Sequence, residues 1–147
     1  MKKFSFPLDK LRNYRQMRFQ QEEARLQRML AEIQFLEQQR QALLAEEMRA
    51  VDRVRELTVI PVEDLVSLDL FRQWSEHERS RMKAAVSELR QQIERQRGVV
   101  MQSKKELEML AHLRDRSQIA WRRAADQELE SNVAELVTSR WKGSEPA

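Results

Sequence analysis

The sequence predicts an all-α fold, a long antiparallel two-helix coiled-coil hairpin formed by residues 1–147 as a single body. Three observations predict it. Only 2 glycines and 3 prolines occur in 147 residues, too few for the turns of a β-sandwich, a barrel or an α/β sheet. Apolar residues recur in steps of four and three through both halves of the chain, which is the 3.5-residue repeat of a left-handed coiled-coil seam. The repeat breaks at one place, around Pro61.

The first helix is expected over about residues 8–57. Phe19, Glu22, Leu26, Met29, Ile33, Leu36, Arg40, Leu43, Glu47, Ala50, Val54 and Leu57 keep the four-three step. Leu44, Met48 and Val51 offer a competing register one residue on, so a slip with local overwinding is expected near Arg40. A turn follows over about 58–71. Thr58-Val59-Ile60-Pro61 joins β-branched residues to a proline that cannot continue a helix and turns Ile60 away from the helical region. Leu65, Leu68 and Phe71 fit a short helix within this connector, with Ser67 or Asp69 as its cap.

The second helix is expected over about 72–141. Met82, Val86, Leu89, Ile93, Gln96, Val100, Ser103, Leu107, Leu110, Arg114, Ser117, Trp121 and Ala124 form its seam, with polar members that fix register or loosen the pair. The two helices would be roughly 75 and 100 Å long. Folding the chain about residue 66 sets residue 8 opposite residue 124. The second helix then overhangs by about four turns, and Leu129, Val133, Leu136 and Val137 have no helix to cover them. Residues 142–147 read as a frayed tail. Gly98 falls inside the helix, off the seam, and costs about 1 kcal/mol against alanine.

The inventory argues against catalysis. There is no cysteine, no glycine-rich phosphate loop, and no serine with a histidine and a supporting turn nearby. His77 and His112 lie 35 residues apart and neither has a convincing second ligand, so no metal and no cofactor are expected. Paired helices form no concave pocket, so no small-molecule ligand is expected either. No window of about 18 uncharged apolar residues is present, and the basic start lacks the apolar run of a secretory signal. The cytoplasm is the expected compartment.

Charge alternates in blocks along the chain. Residues 1–28 hold 8 basic and 3 acidic groups, 29–70 hold 4 and 9, 71–123 hold 13 and 7, and 124–147 hold 2 and 5. Nucleic-acid binding requires a continuous basic stripe, so alternation argues for solvated helices whose ends suit different protein partners. Trp121 falls on the seam and reads as packing. Phe71 and Trp74 beside the turn fit equally a cap on Val54 and Leu57 or an exposed patch for a partner. Trp141, at the end of its helix, favours a partner contact.

The residues also carry a family resemblance. Phe4-Ser5-Phe6-Pro7-Leu8-Asp9-Lys10-Leu11, running into Arg12, Tyr14, Arg15, Arg18 and Gln21-Glu22-Glu23-Ala24, resembles the start of the flagellar export protein FliJ family. Lys104-Lys105-Glu106-Leu107-Glu108-Met109-Leu110 and Trp121-Arg122-Arg123-Ala124-Ala125-Asp126-Gln127-Glu128-Leu129 resemble its later segments, in the same order over nearly the whole chain. An acidic pair that follows in the family is replaced by Ser131-Asn132. The resemblance implies a coiled-coil stalk similar to the central subunit of rotary ATPases. Such a stalk inserts into the export ATPase ring, modulates its activity, and links it to the membrane export gate and export chaperones. It implies no enzyme activity of its own, and a place in the cytoplasm, peripheral to the inner membrane at the flagellar base. Arg12, Arg15, Arg18, Leu129, Leu136 and Trp141 are the residues expected at the ATPase, and Phe71 and Trp74 at the gate. The equivalent stalk of a virulence-type injectisome, or a generic coiled-coil scaffold, are the alternative readings. A hairpin satisfies its own seam, so a monomer is expected in solution, with side-by-side pairing compatible at high concentration.

Overall fold

The computed structural model describes residues 2–143. It contains two helices, α1 (Asp9–Arg55) and α2 (Val62–Gly143), packed against each other as an antiparallel hairpin, with no strand among the described residues. Asp9 sits in the first turn of α1, and Arg53 and Arg55 in its last. Glu63 and Asp64 open α2, and Arg140 and Lys142 close it. Each charge opposes the partial charge of the helix end it occupies.

The connector is shorter than the sequence predicts. α1 ends in a tightened turn, with Leu57 N donating to Val54 O at 3.2 Å. The carbonyl of Pro61 then accepts from Asp64 N at 3.1 Å and Leu65 N at 3.3 Å, and so starts α2 at Val62 rather than 72. Pro61 suits this place because its own missing N–H would have no helical partner there. Leu65, Leu68 and Phe71 are therefore part of α2 itself. Ser67 and Asp69 are interior rather than caps, and Asp69 Oδ2 instead accepts from Gln73 Nε2 at 3.1 Å. At the other end, Lys142 and Gly143 complete α2, while 144–147 of the expected tail lie outside the described residues.

The chain forms two compact units, one of Gln20–Met101 and one of Met1–Phe19 with Gln102–Ala147. In the first, Leu43, Val86 and Ile93 are buried, and Leu26, Met29, Ile33, Leu36 and Leu89 are half-buried. The seam continues through Arg40 without a slip: Leu43 and Glu47 are buried, whereas Leu44 and Met48 of the rival register are exposed. Two polar layers set this register. Glu47 accepts from Ser75 Oγ at 3.0 Å, from Arg79 Nη2 at 2.8 Å and from Arg72 Nε at 3.4 Å. Gln96 Nε2 donates to the Glu22 carbonyl at 3.0 Å and to its Oε2 at 2.6 Å.

In the second unit, Ser103 and Leu110 are buried and Leu107, Arg114, Ser117 and Trp121 half-buried along the α2 seam. At its last step the buried residue is Ala125, and Ala124 is exposed. The segment ahead of α1 has no regular structure, turns at Pro7-Leu8, and packs on α2. Phe6 is 5% exposed, and the Phe4 ring lies 6.0 Å from that of Trp121. Asp9 lies beside Arg114, at 3.7 Å, so residue 8 does not face residue 124. The cause is the short connector, which moves the residues of α2 facing α1 back by about the ten positions between 62 and 72.

Candidate functional site

The residues expected at the ATPase separate into two kinds. Arg12 and Arg15 extend the α1 seam toward its start, in step with Phe19 and Glu22, and are half-buried. Arg15 Nη1 binds Glu106 Oε2 at 2.6 Å, with both side chains about one-third exposed. That makes Arg15 part of the helix pairing. Arg18 is exposed, and its Nη1 lies 3.5 Å from the Tyr14 hydroxyl. The three arginines thus share the start of α1 but not one face toward solvent.

Leu129, Leu136 and Trp141 do share one stretch. Every α2 residue from Asp126 to Gly143 is exposed. Within it Leu129, Val133, Leu136 and Val137 are each more than half exposed, and Trp141 is 69% exposed. The spacing of 129, 133 and 136 sets their side chains on one side of the helix. Four branched apolar residues are thus left open to solvent on the overhang.

Phe71 and Trp74 differ in exposure. Phe71 is half-buried and lines an apolar groove with Ala50, Val54, Leu57 and Leu68. Trp74 is half-exposed, its ring 6.0 Å from that of Phe71. Around them the turn exposes Val59, Val62, Leu65, Val66 and Leu70, with Val59 at 81%. Sequence reasoning missed this set, although the run of apolar residues through Thr58–Leu70 was visible. The spacing of Leu65, Leu68 and Phe71 fits a separate short helix equally well, whereas α2 starts at Val62 and leaves Val62, Leu65, Val66 and Leu70 exposed.

Among the described residues no group of three His, Cys, Asp or Glu side chains could hold a metal, and no helix is long and apolar enough to cross a membrane. Comparison with protein-family models, with curated proteins and with solved structures found no match. The geometry offers apolar helix surfaces for partners, one on the overhang and one around the turn.

Proposed function

We propose that this chain is a non-enzymatic stalk and adaptor of a type III protein export apparatus of the flagellar kind. It docks through the α2 overhang on the export ATPase ring and modulates ATP hydrolysis there. It meets the cytoplasmic part of the export gate through Phe71 and Trp74, receives export chaperones, and works in the cytoplasm at the inner membrane. The observation that carries the reading is the overhang: α2 continues through Gly143 with Leu129, Val133, Leu136 and Val137 exposed after the seam has ended at Ala125. The resemblance of the Phe4–Ala24, Lys104–Leu110 and Trp121–Leu129 segments to the FliJ family supplies the identity of the partners.

The test uses the purified ring-forming export ATPase. Wild-type protein is expected to be retained by it and to change its turnover at micromolar concentration. The Leu129→Asp, Leu136→Asp double variant is expected to do neither while keeping its helix content. Absence of binding and of any change in turnover by the wild-type protein removes the reading.

A further inference from the structure

One stripe of α2 in the second unit remains without a partner and has an unusual order. Starting from Glu108, the four-three step runs through His112, Asp115, Ile119 and Arg122, then on through Asp126, Leu129, Val133, Leu136 and Arg140. All ten residues are exposed, and none takes part in an ion pair or hydrogen bond within the described residues. On the helical wheel this stripe stands roughly a third of a turn away from the seam that holds α1, so a further helix can lie along it beside α1.

The stripe is a palindrome in spacing, and three of its five reflected layers are complementary in chemistry. Reflected about Ala124, each member meets another member: Arg122 faces Asp126, Ile119 faces Leu129, His112 faces Leu136 and Glu108 faces Arg140. Two of these layers are opposite charges and one is a pair of branched apolar residues. Asp115 facing Val133 and His112 facing Leu136 are the two layers that set a polar side chain on an apolar one. An antiparallel coiled coil pairs its seam positions in this reflected way. A parallel pairing instead sets Arg122 on Arg122 and Asp126 on Asp126.

We infer that α2 binds a second copy of this chain, antiparallel, along the stripe from Glu108 to Arg140 with a two-fold axis at Ala124. The contact is isologous, so every layer occurs twice and the pair closes on itself without growing into a filament. The dimer is concentration-dependent, because its layers are largely polar and its ion pairs lie at the surface. It also covers Leu129, Val133 and Leu136, so a second copy competes with any other partner of the overhang. The inference stands on this chain alone and is tested without the ATPase.

Sedimentation equilibrium of the full chain from micromolar to millimolar concentration is expected to show a monomer–dimer equilibrium that weakens with salt. Arg122→Glu alone, and Asp126→Arg alone, are each expected to weaken the dimer by about tenfold. The charge-swapped double variant is expected to return it to near the wild-type constant. Because the chain has no cysteine, Ile119→Cys protein mixed with Leu129→Cys protein reports the register. The mixed disulfide is expected to form faster than either self-disulfide. A chain that stays monomeric throughout leaves the stripe to another occupant and overturns the inference. So does a dimer in which Leu129→Cys couples best to itself, or one that the charge swap fails to restore.

Discussion

At the scale of single residues, the seam is notable for where it is not apolar. Glu47 is buried at a position where a leucine would add hydrophobic stabilisation, and its carboxylate is held by Ser75, which is 0% exposed, and by Arg79 and Arg72. A buried ion pair stabilises little against a well-packed apolar pair, yet losing one partner is costly because the other charge stays desolvated. Arg79 already has a buried Nε without a hydrogen-bond partner, so it depends on Glu47 through Nη2. Glu47→Ala is therefore expected to destabilise the protein by about 2 kcal/mol, seen as a lower urea midpoint with an unchanged slope. Arg15 and Glu106 behave differently. Both are about one-third exposed, and an ion pair so open to water contributes under about 1 kcal/mol. Arg15→Ala is expected to leave the melting temperature nearly unchanged, so any loss of partner binding by that variant would not reflect unfolding.

At the scale of elements, the register of α1 rests on Leu43 and not on Leu44, one residue on. Leu43 is buried and Leu44 exposed, so Leu43→Ala is expected to cost about 2 kcal/mol and Leu44→Ala close to nothing, measured by chemical denaturation of each. Gly98 tests the other helix. A methyl group there meets nothing within 4 Å and no positive φ has to be kept. Gly98→Ala is thus expected to raise stability by roughly 0.5–1 kcal/mol, visible as a higher thermal midpoint. The seam of α2 was legible in the sequence from Met82 to Trp121 because its four-three repeat is unbroken and mostly apolar, whereas the parallel stripe from Glu108 to Arg122 is mostly charged. On α1 the rival set Leu44, Met48 and Val51 looked as good, since pattern alone does not reveal that Glu47 has Ser75 and Arg79 to satisfy it across the seam. The start of α2 was misplaced because Pro61 marks a helix boundary without saying on which side the helix lies. The packing of Phe4 and Phe6 was missed because no repeat reaches them. With residue 8 placed opposite residue 124, Trp121 needed no other cover; only the Asp9–Arg114 pairing leaves it beyond the start of α1.

At the scale of the whole molecule, two clusters of exposed apolar side chains lie in different units, the overhang with Leu129, Val133, Leu136 and Val137, and the turn with Val62, Val66, Leu70 and Trp74. Neither cluster is built on the other, and none of these eight side chains is buried in the helix pairing. Polar replacements on either cluster therefore remove contact surface without removing core, and surface changes of this kind usually shift stability by no more than about 0.5 kcal/mol. An adaptor with one partner at each cluster must show separable losses. Val133→Asp with Leu136→Asp is expected to abolish retention by the export ATPase and leave binding to the gate's cytoplasmic domain intact. Val66→Asp with Trp74→Ala is expected to do the reverse, with both variants melting within a few degrees of wild type. Titrating each partner against both variants reads this directly. If one pair of substitutions weakens both interactions equally at unchanged stability, the two clusters serve a single partner, and a chain that bridges two bodies is the wrong description.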